Sequence, residues 1–460
     1  MTIAPGEYAV ANRARFLEEL KEFLRIPSIS TLPQHQPDME RAAGFVRDRM
    51  IEAGLENVHL IPTAGNPLVY GEWLHAEGAP TVLCYGHYDV QPSDPLSEWK
   101  TPPFEPTVRD GKLYARGAAD DKGQFYAHIK AVESLMKTRG ALPVNVRFLV
   151  EGEEEVGGKG IETYVQEHPE RLHCDVALVS DTALFAPDLP SIDVGLRGMV
   201  YTEVEVQGAE CDLHSGLYGG AAPNPFDALA RIIVGLKDEA GRIQIPGFYD
   251  AVAEPSPAEK ASWGRLPFDE EVYRKHEVRA SYLPGEAGYS VLERTWVRPT
   301  LEVHGMPGGF MGAGAKTVIP ARAVAKISMR LVPNQKPETI KTQFEAFVQK
   351  LTPHGYTAQV RVLSLADPVV VDAENRFIRA AVAALKDVFQ AEPVFVRSGG
   401  SIPIVALFAG VLHAPTVMMG FGLPDDGLHA PNEKFNIENY DRGVESVIGF
   451  FERLGGEGGR

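Results

Sequence analysis

The sequence predicts an α/β fold: a discontinuous domain with a mostly parallel central sheet flanked by helices, plus an inserted α+β domain. Three observations carry the prediction. Continuous apolar runs alternate with helical patterns over residues 1–197, the signature of a layered α/β arrangement. The alternation returns over residues 366–460. Between them, residues 198–365 carry half-exposed, alternating strands that belong to a separate compact unit.

In chain order, Phe16, Leu20, Phe23 and Leu24 fall at helical spacing and Pro27 closes the pattern. That is an amphipathic helix of the mature fold rather than a signal peptide. The runs TVLCYGHYDV, VNVRFLVEG and CDVALVSD read as buried strands, and a helix begins at Lys122. In the inserted domain, MVYTEVEVQG and AVAKISMRLVPN alternate, with helices expected over 225–236 and 337–351. A Pro-, Gly- and charge-rich segment, 241–288, interrupts this domain and carries no functional reading. Near the end, 375–390 and 437–454 are helical, and the apolar runs IPIVALFAGVL and APTVMMGFG take the places of strands between them.

Bulk properties exclude several function classes. The 460 residues exceed one ordinary core. A net charge of −17 argues against nucleic acid and anionic membrane as partners, and no apolar stretch is long enough to span a bilayer. Cys84, Cys174 and Cys211 are widely and irregularly spaced, which fits a reducing compartment and points to the cytoplasm.

The stretch LVEGEEEVGG (149–158) runs from a buried strand into four carboxylates, Glu151, Glu153, Glu154 and Glu155. Like charges about 5 Å apart repel by roughly 3 kcal/mol at an effective dielectric near 20. Acidic runs are commonly solvated faces, so the cluster acquires meaning only from partners elsewhere. Open α/β sheets bind ligands beyond the carboxyl ends of their strands. His87 and Asp89 follow one apolar run, and Glu154 and Glu155 another. Asp181 ends a third, and Asp425, Asp426, His429 and Glu433 follow the last. Asp120 and Asp121 precede the helix at Lys122. Imidazoles and carboxylates are the donors that Zn²⁺ and similar ions accept. His87, Asp120, Glu155, Asp181 and His429 supply the five ligands needed by two ions sharing one carboxylate, and two cations would turn the repulsion into attraction.

At these residues the chain resembles the M20 family of di-metal peptidases, in particular its branch of carnosinases and cytosolic non-specific dipeptidases. The motifs are GHYDVQP (86–92), GAADDKG (117–123), EGEEEVGG (151–158), LVSD (178–181), DLHSGLYGG (212–220), RLVPN (330–334), GGSIPI (399–404) and DDGLHAPNEKF (425–435). The resemblance implies that His87 and Asp181 hold one metal, Glu155 and His429 the other, and Asp120 bridges them. It makes Asp89 the carboxylate that orients His87, and Glu154 the general base that activates a water bridging the metals. It also implies a cis peptide at Asp120-Asp121. Glu151 and Glu153 are left as solvated or outer groups.

The inserted domain is by the same resemblance a lid and dimerisation domain, with His214 reaching the partner protomer's active site to stabilise the oxyanion. Arg330 clamps the substrate's C-terminal carboxylate, helped by Gly400 and Ser401, and Thr317 is a further substrate contact. The chain departs from the carnosinase pattern at LADPVVV (365–371), which lacks a histidine, and at Arg397-Ser398 before GGSIP, where an acidic residue is common. Carnosine-like side-chain preference is therefore not carried over. The expected function is a homodimeric dipeptidase with two divalent ions, zinc first and manganese second, acting next to a free carboxylate. The alternatives are an aminoacylase or carboxypeptidase on N-acyl amino acids or short peptides, and an inactive binding protein on the same scaffold.

Overall fold

The computed structural model describes residues 3–400 and 402–457. The chain divides into two compact units. One runs to Val194, resumes over Val371–Val396 and again from Pro403; the other comprises Gly195–Val370 and Arg397–Ile402.

The first unit is built on a sheet with spatial order Glu56–Ile61, Leu68–Trp73, Asn145–Glu151, Thr81–His87, Val176–Val179, Thr416–Met418, Ser191–Leu196. Its four inner strands, from Asn145–Glu151 to Thr416–Met418, are parallel, while the strands on either side pair antiparallel. The sheet is therefore mixed, with a parallel centre. Buried strands of this kind read as continuous Val/Leu runs in either orientation, so sequence leaves the outer pairings open.

Helix Lys122–Arg139 is buried along almost its whole length and packs on helices Pro5–Leu24, Gln36–Ala53 and Ile437–Glu457. Its first turn presses so closely on the preceding loop that a Cβ on Gly123 would sit 2.0 Å from the Ala118 carbonyl oxygen. Phe16, Leu20, Phe23 and Leu24 form the buried face of the first helix, as their spacing predicts.

The run IPIVALFAGVL differs from its strand-like reading: Pro403–Leu407 is α-helical and continues as a π-helical turn over Phe408–Leu412. Ile404, Phe408 and Leu412, four residues apart, are buried, so a helical face satisfies the same apolar composition. A small antiparallel sheet of Thr107–Arg109, Lys112–Tyr114 and Lys434–Asn436 joins the segment before Asp120 to the segment after His429.

The second unit has a four-stranded antiparallel sheet in the order Thr300–Gly305, Arg322–Leu331, Gly198–Gln207, Thr357–Ala366. Strict burial alternation along Gly198–Gln207 turns Val200, Val204 and Val206 toward Leu229 and Ile232 of one helix and Phe344 and Val348 of another. Residues 397–402, grouped by the sequence with the outer domain, sit in this unit. Arg197 Nε donates to the Gly399 carbonyl at 2.9 Å, the Arg197 amide to the Gly400 carbonyl at 3.2 Å, and Arg397 pairs with Glu259. The 241–288 segment forms short helices, including Pro257–Trp263, and is tied down by Arg298, whose guanidinium bonds Glu286 twice at 2.9 Å.

Candidate metal centre

The four parallel strands deliver their carboxyl ends to one place in the first unit. Thr81–His87 ends in His87, Asn145–Glu151 leads to Glu154 and Glu155, Val176–Val179 to Asp181, and Thr416–Met418 to the turn bearing His429. Asp120 enters on the loop before helix Lys122–Arg139.

Two donor groups result, His87–Asp120–Asp181 and Asp120–Glu155–His429, each with ligand atoms within 4.8 Å of one another. Asp120 Oδ1 lies 3.1 Å from His87 Nε2, which is 3.9 Å from Asp181 Oδ2. Asp120 Oδ2 faces the other way, 2.9 Å from His429 Nε2, which is 3.4 Å from Glu155 Oε2. His429 has φ +58, a left-handed conformation that L-residues adopt sparingly and that recurs at functional sites.

Asp89 is buried beneath both groups. Its carbonyl oxygen lies 3.1 Å and its Oδ1 3.4 Å from His87 Nδ1, leaving Nε2 directed at Asp120. The same carboxylate accepts the Glu154 amide at 3.3 Å and the Glu155 amide at 3.1 Å. One residue thus orients the histidine and holds the turn that carries the two glutamates. The Asp120-Asp121 peptide is cis.

The electrostatics of the cluster follow from burial and from the like charges brought together there. Burial, then repulsion from Asp120, pushes Asp181 well above the usual carboxylate range, and burial with Asp181 does the same to Asp121. Burial is also the main reason Glu154 and Glu151 each rise to about 8. Burial opposes protonation of His87, yet its bonds to Asp120 and Asp89 outweigh that and hold it well above the ordinary imidazole value. Hydrogen bonds to Asp120 and Glu155 raise His429 to about 10. Burial works against charge on the acids, while both imidazoles share Asp120 as a partner, an arrangement that nearby positive charge would stabilise. Divalent cations fit such a set, and the nitrogen and oxygen donors are of the type they accept.

Two supporting residues, Gln91 and Gln124, carry no individual mark in the sequence. Gln91 donates to Glu155 Oε2 at 2.7 Å. Gln124 donates to the Ala119 carbonyl at 2.8 Å and accepts the Phe421 amide at 2.7 Å. Of the two readings open for Glu151, solvated or outer group, its burial and the Tyr85 hydroxyl that it accepts at 2.8 Å favour the second. Gln91 could have been found from its place two residues after Asp89; Gln124 is hidden because its partners are backbone groups.

His214, Thr317, Arg330 and Gly400 lie in the second unit. His214 is exposed, pairs with Val318 in a short two-stranded ladder, and accepts the Gly216 amide on Nδ1 at 3.0 Å. The Ser215 amide donates to the Thr317 carbonyl at 3.1 Å, so these two positions are neighbours. Arg330 lies opposite Met199. Burial lowers the guanidinium pKa values of Arg330 and Arg197, and repulsion from Arg330 lowers that of Arg197 further. Ser401 lies outside the described residues.

Comparison with known proteins gives the same picture. The chain is 32% identical to the Beta-Ala-His dipeptidase of Rattus norvegicus over 468 residues, covering 97% of this chain and 94% of the relative. It is 32% identical to the Cys-Gly metallodipeptidase DUG1 of Candida albicans, covering 96% and 95%. The solved structure of the M20 family metallo-carboxypeptidase Sso-CP2 from Sulfolobus solfataricus superposes with a TM-score of 0.87 at 33% identity, covering 96% of this chain and 99% of that one. The sequence profile of peptidase family M20/M25/M40 matches residues 83–453, the span that holds every donor of the centre. With its strand-end donors and this match across most of its length, the chain belongs to peptidase family M20/M25/M40.

Proposed function

We propose that this protein is a dipeptidase that uses two divalent cations to hydrolyse the peptide bond adjacent to a free C-terminal carboxylate. The observation that carries the reading is the two-sided presentation of Asp120, one oxygen toward His87 and the other toward His429. His87 and Asp181 would hold one cation, Glu155 and His429 the other, and Asp120 both. Divalent cations held there would supply Lewis-acid polarisation of the scissile carbonyl and would lower the pKa of the attacking water toward neutrality. Zinc is the first choice of ion and manganese the second, since imidazole and carboxylate donors accept either.

Glu154, held by its amide on Asp89, takes the proton of the attacking water and delivers it to the leaving amine nitrogen. Asp89 keeps the His87 imidazole turned toward Asp120. Arg330 clamps the substrate carboxylate, a task in which Gly400 and Ser401 would help, and Thr317 adds a polar contact. His214 stabilises the oxyanion from the partner protomer, so the working form is a homodimer joined through the inserted domain. Free buried thiols at Cys84 and Cys174 accord with a reducing compartment, the cytoplasm.

Likeness to two dipeptidases supports the dipeptide as substrate, and likeness to the Sulfolobus carboxypeptidase makes a longer peptide the competitor. The test is hydrolysis of Ala-Leu by metal-stripped protein titrated with zinc and with manganese, alongside Ala-Leu amide, N-acetyl-Ala-Leu and a tetrapeptide. Metal-restored cleavage confined to Ala-Leu is the expected result. Preferential cleavage of the N-acetyl form or the tetrapeptide would replace the dipeptidase reading with acylase or carboxypeptidase activity.

A further inference from the structure

Glu433 lies four residues beyond His429 and is 0% exposed. Its carboxylate accepts four hydrogen bonds, all from the segment that ends in Asp120. Oε2 takes the Arg116 Nη1 donor at 2.7 Å and the Gly117 amide at 2.9 Å. Oε1 takes the Ala119 amide at 2.9 Å and the Asp120 amide at 3.1 Å. An ionised carboxylate offers about four lone-pair sites and no donor, so the match is complete.

The main chain repeats the connection. The Glu433 carbonyl accepts the Ala115 amide at 3.2 Å, and Lys434 pairs with Tyr114. The turn that carries His429 is closed at its base by the Lys434 amide on the Asp426 carbonyl at 2.9 Å. Glu433 therefore stands where the His429 turn meets the Asp120 loop, with its side chain spent wholly on the latter.

We propose that Glu433 is a positioning residue that fixes the backbone of Asp120 and locks the His429 turn to it. It touches neither substrate nor cation and acts through the carboxylate that the two donor groups share. The proposal rests on the reading that Asp120 is a cation ligand. Loss of this fixation weakens every cation that Asp120 holds, because the backbone amide of Asp120 is itself one of the four donors. Glutamine in place of Glu433 keeps the shape but sets an amide NH₂ against donors, so it is the discriminating change. Aspartate keeps an acceptor-only group on a shorter arm.

The experiment titrates metal-free parent, Glu433→Gln and Glu433→Asp with Zn²⁺ against a competing chromophoric chelator, and records thermal unfolding of each metal-free protein. Zinc affinity of Glu433→Gln is expected to fall about 10–100-fold, the usual cost of losing an outer hydrogen-bonding partner, with Glu433→Asp recovering part of the loss. An affinity within twofold of the parent, or equal losses in the two variants, would overturn the proposal. Should Glu433→Gln not fold, Arg116→Gln removes one donor and decides by the same criterion: a smaller loss in zinc affinity supports the role, and none overturns it. Because each variant is compared with its parent, the outcome is independent of whether the parent cleaves dipeptides.

Discussion

Asp120 Oδ2 and His429 Nε2 are 2.9 Å apart, yet one partner is almost enclosed while the other has 55% of its side chain exposed. The His87 side of the centre, by contrast, has an imidazole with no exposure. An ion between Glu155 and His429 would then exchange with solvent more readily than one held by His87 and Asp181. If each donor group holds its ion as proposed, chelator treatment of the zinc-loaded protein removes zinc in two kinetic phases. His429→Ala should abolish the fast phase, weakening that site by more than the ~10–100-fold typical of an outer partner. A single phase in both proteins would refute the asymmetry.

Glu154→Gln should lower kcat by about 10²–10⁴-fold, the range that a positioned proton acceptor supplies, with zinc stoichiometry unchanged. Metal analysis and steady-state kinetics on the same sample check both halves. Full activity would remove Glu154 from the role of base.

Asp89→Ala should behave differently from Glu154→Gln, because Asp89 supports both His87 and the Glu154–Glu155 turn. Zinc affinity is expected to drop about 10–100-fold, and kcat should remain low even at saturating zinc. Recovery of parental kcat at high zinc would limit Asp89 to orienting the histidine.

His128 supplies a pH prediction away from the donors. It is buried, its Nε2 lies 2.7 Å from Ser180 Oγ, and burial alone depresses its pKa from 6.5 to about 3. The unfolded chain therefore takes up a proton below pH 6.5 that the folded one refuses. Stability from this group is complete above pH 6.5 and is lost as pH falls toward 3. By pH 4.5 the loss is about 2–3 kcal/mol, at ~1.4 kcal/mol per pH unit. His128→Gln, which cannot titrate, should narrow or reverse its Tm deficit relative to the parent between pH 7.5 and 4.5. A deficit that stays constant over that range would exclude the mechanism.

What the sequence discloses is chemical type at a topological position. Strand runs ending in His87, Glu155, Asp181 and before His429 are visible because a buried strand has no packing reason to end in charge. Distances among those ends are not visible, since the sheet order sets them. The outer antiparallel pairings escape notice because Leu68–Trp73 is buried almost throughout and lacks alternation. The run from Pro403 to Leu412 is short and apolar, a composition that fits a strand or a buried helix equally. Glu433 is the plainest case of hidden function. Three of its four partners are backbone amides, which leave no imprint on side-chain spacing.

The place of Thr416–Met418 in the sheet bears on how the protein is made. During vectorial synthesis on the ribosome, the strands at 56–179 and then Ser191–Leu196 emerge long before their shared neighbour does. Until Thr416–Met418 slots between Val176–Val179 and Ser191–Leu196, the nascent sheet keeps an open edge. His429 and Glu433 follow that strand, so a growing chain lacks one of its five donors, and the side chain that holds the Asp120 loop, until both have been translated. A hydrolase assembled in this order has no complete donor set until the strand Thr416–Met418 and the His429 turn behind it have emerged, so the sheet and the metal centre are completed in quick succession.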